Sequence, residues 1–221
     1  MAKNRLVSTL ISVKRRLSIG YHARRLIGGL QDLVYDWRCD GWTGGIIESA
    51  YQERGARRTE SIRYDVLKRL FQQVPISPKD ILVDVGCGKG RVIGWWLAND
   101  CSNHIIGIEL DSRIASKTAM RFAGVQNVEI IVGNVIENFP AEGTLFWLYN
   151  PFNERVMAAF ADKLKQVCRD EVRLIYAQAK HISVFRDDPS FICEQLSPGW
   201  AATGLAYLIR WESRSSAVPV R

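Results

Sequence analysis

Short apolar runs alternate with amphipathic segments from residue 81 to the end of the chain. Runs with the length and apolar content of buried strands occupy residues 81–85, 104–110, 128–133, 144–150 and 172–179. Segments with the apolar spacing of helices lie between them, at 90–99, 112–124 and 154–168. This alternation predicts a parallel sheet that is covered by helices on both faces.

Two later apolar runs, at 190–197 and 204–211, follow one another without a long helix between them. This arrangement predicts an antiparallel pair at one edge of the sheet. The expected fold class is therefore α/β, with a Rossmann-like, doubly wound, seven-stranded sheet. The sheet is expected to be mostly parallel with one antiparallel edge strand, and to carry an N-terminal helical extension.

The N-terminal third has a different pattern from the rest of the chain. Leu6, Leu10, Val13 and Leu17 recur at helical spacing, and a second amphipathic helix is predicted at 61–74. Seven basic residues and no acidic ones occur among the first thirty residues, whereas the remaining 23 basic residues balance the 23 acidic ones. The net charge of +7 therefore belongs to an N-terminal basic arm. A helix packed on the domain with a solvated basic face is the simplest interpretation, and contact with an anionic membrane surface or with nucleic acid is the alternative.

The five cysteines form no CxxC pair, and the three histidines have no ligand spacing, so no metal site is expected. Reduced thiols are typical of cytosolic proteins. No apolar run approaches the roughly 18 residues that a spanning helix needs. We therefore expect a cytoplasmic location, with peripheral attachment at a membrane as the alternative.

The stretch LVDVGCGKGRV at residues 82–92 places a glycine-rich turn after the first strand of the sheet, where ligands bind in doubly wound folds. Its third glycine, Gly90, comes one residue earlier than in the dinucleotide fingerprint GxGxxG. Asp84 stands two residues before Gly86, where an acid repels a pyrophosphate and suits an ammonium group. Glu109 ends the second strand, where a carboxylate accepts hydrogen bonds from a ribose diol. A phosphate-free nucleoside that carries an amino acid, such as S-adenosylmethionine, satisfies both acids.

On these residues the chain resembles the class I S-adenosylmethionine-dependent methyltransferases over about 81–211. The resemblance implies that Asp84 lies near the methionine ammonium and that Glu109 binds the ribose. It also implies that the glycines of the loop, which have no side chain, leave room for the methionine part of the cofactor. Asn134, after the third strand, is expected to contact the adenine. The cofactor-binding residues implied in this way are Asp84, Gly86, Cys87, Gly88, Gly90, Glu109, Leu110, Asn134, Val135 and Asn150.

The motif LYNPF at 148–152 ends the fourth strand of the sheet. It is similar to the [DN]PP[FYW] motif of methyltransferases that act on nitrogen, with one proline in place of two. The resemblance implies that Asn150, Pro151 and Phe152 are the catalytic residues: the amide orients the amine, the proline fixes the loop, and the aromatic ring packs on the substrate. A structural turn at the end of the strand is the alternative interpretation.

GCGKGR and LYNPF together are also similar to a bacterial group of methyltransferases, some of which resemble protein-lysine N-methyltransferases. The expected function is therefore methylation of an amine on a protein lysine or a small molecule. The alternatives are an RNA methyltransferase that uses the basic arm, and a non-catalytic cofactor-binding subunit. The implied divisions are a basic helical arm at 1–35, a helical extension or cofactor lid at 36–79, the cofactor-binding domain at 80–213 and a flexible tail at 214–221.

Four residues near these motifs have less specific interpretations. Lys89 and Arg91, at the start of the helix after the glycine loop, are expected to be solvated rather than to attract an acidic substrate. Trp95 and Trp96, inside the same helix, are expected to lie in the core or an interface.

Overall fold

The structure, a computed structural model, describes residues 29–30, 32–38, 41–48, 50–57, 59–199 and 204–212. Nearly all of the predicted basic arm and the whole predicted tail lie outside the described residues. In chain order the elements are α1 (29–30 and 32–38), β1 (Ile46–Ile47), β2 (Thr59–Glu60), α2 (Tyr64–Gln73), β3 (Leu82–Val85), α3 (Arg91–Ala98), β4 (Ile105–Glu109), α4 (Ser112–Phe122), β5 (Val128–Val132), β6 (Leu145–Tyr149), α5 (Glu154–Val167), β7 (Val172–Ala177), α6 (Ser183–Arg186), β8 (Phe191–Leu196) and β9 (Ala206–Trp211).

The main sheet has seven strands in the order β5-β4-β3-β6-β7-β9-β8. The first five strands of this order are parallel, and β9 runs antiparallel to both β7 and β8. The predicted α/β fold, a mostly parallel seven-stranded sheet with an antiparallel pair at one edge, is confirmed. The strand order reverses between β3 and β6, which marks the switch point where ligands bind in such sheets.

Two hydrophobic clusters cover the two faces of the sheet. Leu82 belongs to one cluster and its neighbour Val83 to the other, because successive strand residues point to opposite faces. Helices α2 and α3 supply the first cluster, in which Trp95 and Trp96 are buried as predicted. Helices α5 and α6 supply the second. Within the described ranges, none of the helices combines the length and apolar character that crossing a membrane requires.

Within the residues described, the extension before the sheet has α-helix at its two ends. Between α1 and α2 lie the two-stranded ribbon of β1 and β2 and a short 3-10 turn at Gln52–Arg54. Helix α2 was predicted to begin at residue 61. It begins at Tyr64, because Arg63 has an extended backbone. The Ser61 hydroxyl donates instead to the Thr43 carbonyl. This segment therefore folds back on itself before the sheet begins.

Candidate functional site

A cavity of about 710 Å³ lies beyond the carboxyl ends of β3, β4, β5 and β6. Its wall combines the glycine loop, the residues after β4 and β5, and the start of the loop after β6. Of the residues expected to bind a cofactor, those that line it are Asp84, Gly86, Cys87, Gly88, Glu109, Leu110, Asn134 and Val135. Gly90 and Asn150 are not among its lining residues.

Asp84, the residue before the last of β3, has a carboxyl group without a complete set of partners. The residue is 3% exposed, and its Oδ2 atom is buried without a hydrogen bond. Burial and the nearby Glu109 carboxylate raise the pKa of Asp84 to about 8. A buried polar atom without a partner is costly, and a cation in the cavity would remove that cost.

Glu109 is held in place by backbone amides on both sides of the cavity. Its Oε2 accepts from the Gly88 N–H at 2.9 Å, and its Oε1 accepts from the Asp111 N–H at 2.9 Å. Burial raises the pKa of Glu109, while these two amides act in the opposite direction. The carboxylate thereby links the glycine loop to the end of β4 and keeps lone pairs for a ligand.

Gly90 contributes to the site through packing. Its φ of 74° lies in the left-handed region, and a Cβ built there would come within 2.5 Å of Phe122 Cε2 and 3.0 Å of Thr118 Cγ2. The residue therefore allows α3 to begin against α4. Cys87 is buried beside the loop, and burial raises the pKa of its thiol.

Asn134 lines the cavity, but its side chain already has partners within its own turn. Its Oδ1 accepts from the Ile136 N–H, and its Nδ2 donates to Glu137 Oε1 at 3.0 Å. Glu137 also lines the cavity, although no motif in the sequence indicates it. The two side chains therefore form one hydrogen-bonded polar pair after β5.

Asn150 faces a second cavity of about 450 Å³. Its backbone φ of 44° is left-handed, its side chain is 6% exposed, and its Oδ1 lies 3.5 Å from the Tyr176 hydroxyl, which donates. Pro151 and Phe152 remain on the first cavity. The three predicted catalytic residues of the LYNPF motif, Asn150, Pro151 and Phe152, are therefore divided between two adjacent cavities.

The two cavities share a wall that comes largely from the extension. The residues that line both are Ala56, Arg57, Glu60 and Tyr149. This wall is pinned to the loop after β6, because the Arg57 N–H donates to the Pro151 carbonyl at 3.0 Å and Asn153 N–H donates to the Gly55 carbonyl at 2.9 Å. Ala56, Arg57 and Glu60 were not predicted from the sequence, because an isolated bridge and a two-residue strand leave no periodic pattern.

Arg91 is buried, so the expectation that it is solvated is wrong. Its side chain is 8% exposed and pairs with Asp36 of α1, with Nη2 3.1 Å from Oδ2. Its Nε donates to Thr43 Oγ1 and its Nη1 to the Ile62 carbonyl. Lys89 donates to the Gly44 carbonyl. Both side chains dock the extension onto the glycine loop.

Within the described ranges, no cluster of three or more histidine, cysteine, aspartate or glutamate side chains is placed to hold a metal ion.

No protein-family model matches the chain, and no curated protein sequence matches it. Solved structures do. An RNA methyltransferase from Salinibacter ruber in complex with S-adenosyl-L-homocysteine is 20% identical, with 72% of this chain and 97% of that chain covered and a TM-score of 0.54. A putative O-methyltransferase from Klebsiella pneumoniae is 12% identical, with 85% and 99% covered and a TM-score of 0.55.

A third similar structure is the O-methyltransferase from Bacillus cereus in complex with S-adenosyl-L-homocysteine. It is 11% identical, with 69% of this chain and 83% of that chain covered and a TM-score of 0.54. The fold is that of the class I methyltransferases. Identities this low establish the methyltransferase fold alone, and the names of the similar proteins include both an RNA methyltransferase and O-methyltransferases. The site residues therefore have to carry any statement about chemistry.

Proposed function

We propose that the chain is an S-adenosylmethionine-dependent methyltransferase that methylates an amine nitrogen. The observation that carries the proposal is the unpartnered Asp84 carboxylate beside Glu109 in a cavity at the switch point of the sheet. Asp84 and Glu109 place two buried acids beside the glycine loop, where they offer nothing that would bind a phosphate. They suit an ammonium group and a ribose, which S-adenosylmethionine carries together.

The cofactor would be held by residues at the carboxyl ends of β3 and β4 and in the turn after β5. Asp84 would accept from its ammonium group and Glu109 from its ribose, while the Asn134 and Glu137 pair would border its adenine. The S-adenosyl-L-homocysteine named in two of the similar structures supports this ligand. When bound, S-adenosylmethionine supplies a methyl carbon that is activated by a positively charged sulfur.

The second cavity is the proposed acceptor site. Its lining includes the carboxylates of Glu48 and Glu60 and the amide of Asn150. Glu60 pairs with Ile46 in the ribbon, and Glu48 lies two residues beyond Ile46, so both acids project from the same face of the ribbon. Arg57 and Lys180 also line this cavity and balance the two carboxylates, so the preference for an amine rests on the oxygens of Glu48, Glu60 and Asn150 as hydrogen-bond acceptors.

The residues of this cavity would align the acceptor rather than activate it strongly. The nitrogen lone pair forms the new bond to the methyl carbon as the carbon–sulfur bond breaks, and the displaced N–H proton leaves to solvent. Asn150 would accept a hydrogen bond from the amine and fix its direction, which is the main demand of an in-line displacement. A protein lysine or a small amine fits this proposal.

RNA is the second candidate acceptor. The acid-free basic arm and the likeness to the RNA methyltransferase from Salinibacter ruber favour it. In that case the arm would hold the phosphate backbone.

Transfer of tritiated methyl groups from S-adenosylmethionine into fractionated cell lysate tests the proposal. We expect label in the protein or small-molecule fraction that survives RNase. Label that RNase removes would replace the amine by RNA. If the chain binds the cofactor but no label enters the protein, small-molecule or RNA fraction, the chain would instead be a non-catalytic subunit.

A further inference from the structure

Helix α1 carries its polar side toward the domain. Asp32 Oδ1 accepts from the Tyr64 N–H at 3.1 Å, and Asp36 accepts from the Tyr64 hydroxyl at 2.8 Å. The Tyr35 ring stacks on the Tyr64 ring with 4.8 Å between the centroids. Spacings of three and four residues place Asp32, Tyr35 and Asp36 on one face of the helix, which is therefore the docked face.

The opposite face of α1 is apolar and exposed. Leu30, Leu33, Val34 and Trp37 follow the i, i+3, i+4, i+7 spacing of a single helical stripe, here called the α1 stripe. All four are exposed, with Trp37 at 83% and Leu30 at 63%. A helix on a water-soluble domain normally has the reverse arrangement. The α1 stripe is thus an unusual surface that a partner would have to cover.

The charge of the preceding segment indicates which partner fits. Residues 1–28 hold seven basic residues and no acidic ones, and Leu6, Leu10, Val13 and Leu17 recur at intervals of four, three and four residues, which is also a helical spacing. An apolar face with tryptophan, combined with many lysines and arginines, is the composition of segments that lie in the interface of an anionic bilayer. A nucleic acid would use the basic residues but leave the α1 stripe in water.

We propose that the N-terminal segment and the α1 stripe bind the protein peripherally to an anionic lipid surface. The stripe residues enter the boundary between headgroups and acyl chains, and the basic residues pair with anionic headgroups. Each contribution alone gives weak attachment, and the two together give stable binding.

The docking of α1 also sets the orientation of the domain on that surface. Asp36 is paired with Arg91, the first residue of α3 after the glycine loop. The α1 stripe is therefore fixed relative to the first cavity by a buried ion pair rather than by a linker.

Sedimentation of the full chain with vesicles tests the proposal. We expect binding to vesicles of phosphatidylcholine and phosphatidylglycerol at about 7:3, little binding to phosphatidylcholine alone, and release at high salt. The double variant Leu33→Gln/Trp37→Gln is expected to weaken binding by about tenfold or more. The triple variant Lys14→Gln/Arg15→Gln/Arg16→Gln is expected to weaken it by a similar factor.

The matched control is Ile192→Gln, because Ile192 of β8 is 63% exposed, the same as Leu30, and lies on the far edge strand. This variant should bind like the unmodified chain. The proposal is wrong if the unmodified chain does not bind the anionic vesicles, or if Leu33→Gln/Trp37→Gln binds them as well as the control. A concentration-dependent dimer that the double variant abolishes would assign the stripe to a second copy and would equally overturn it. RNA binding with no vesicle binding would assign the arm to RNA.

Discussion

The Asp36 carboxylate and the Arg91 guanidinium form a buried ion pair between the N-terminal extension and the first turn after the glycine loop. Their side chains are 4% and 8% exposed, and Nη2 lies 3.1 Å from Oδ2. Asp36 also accepts from the Thr43 and Tyr64 hydroxyls, while the Arg91 guanidinium lies over the Tyr64 ring. Each charge is therefore well satisfied, and the extension that walls both cavities is anchored at this point.

Removing one member of this pair should be expensive. Asp36→Ala leaves the guanidinium buried without its counter-charge, so we expect the free energy of unfolding to fall by about 3–5 kcal/mol. Urea denaturation measures this change. The control is Glu194→Ala, which breaks the exposed pair with Arg210 and should cost less than about 1 kcal/mol. Equal losses in the two variants would mean that the buried pair does not anchor the extension.

Asp84 should make the protein less stable as the pH rises. Its pKa is raised from 3.8 to about 8 in the folded chain, so between these values the folded state binds more protons than the unfolded state. Stability from this group is fully present below about pH 4 and is lost as the pH rises through about 8. Urea denaturation of the ligand-free chain at pH 5.5 and pH 8.5 should show a loss that Asp84→Asn reduces. An unchanged pH dependence in that variant would show that Asp84 titrates normally.

Gly90 should tolerate no side chain. In Gly90→Ala the new Cβ meets the Phe122 ring, and the alanine backbone has to adopt a left-handed φ. We therefore expect the free energy of unfolding to fall by about 1–3 kcal/mol or more. Gly124→Ala is the matched control, because a Cβ at Gly124 has nothing within 4 Å. Thermal unfolding of both variants compares them directly. Similar melting temperatures would contradict the packing role of Gly90.

Substitutions at Asn150 and Glu60 should both lower methyl transfer, but they should differ in their effect on cofactor binding. Asn150 lines only the second cavity, so Asn150→Ala should keep the affinity for S-adenosylmethionine and lower the rate of labelling about tenfold or more. Glu60 lines both cavities, so Glu60→Gln should lower labelling and weaken cofactor binding slightly.

Asn99→Ala and Glu171→Gln are the controls for these two variants, because both side chains are exposed and neither lines these cavities. Both controls should label at the rate of the unmodified chain. Full labelling by Asn150→Ala would remove this residue from the acceptor site.

The alternation of apolar strands and helices was enough to predict the main sheet, because burial on both faces leaves continuous apolar runs such as those at β3 and β6. The positions of Asp84 and Glu109 could be predicted for the same reason. Asp84 is the residue before the last of β3 and Glu109 is the last of β4, and the carboxyl ends of these neighbouring parallel strands meet at one edge of the sheet.

The walls of the site depend on contacts that no local pattern encodes. Arg91 stands where a solvated helix start is usual, and its partner Asp36 is 55 residues away on a helix whose polar face is the buried one. Asn150 turns toward the second cavity because of a left-handed backbone at one residue. Glu48 and Glu60 come together only because two strands of two residues pair.

Calorimetric titration with S-adenosylmethionine tests the central claim most directly. At pH 6.5 the Asp84 carboxyl is largely protonated, and a bound ammonium group favours its ionised form, so binding should release close to one proton. Titrations in buffers of different ionisation enthalpy measure that release. Asp84→Asn should lose the proton release and bind at least about tenfold more weakly. Absence of binding by the unmodified chain, or the same affinity and proton release in Asp84→Asn, would contradict the account.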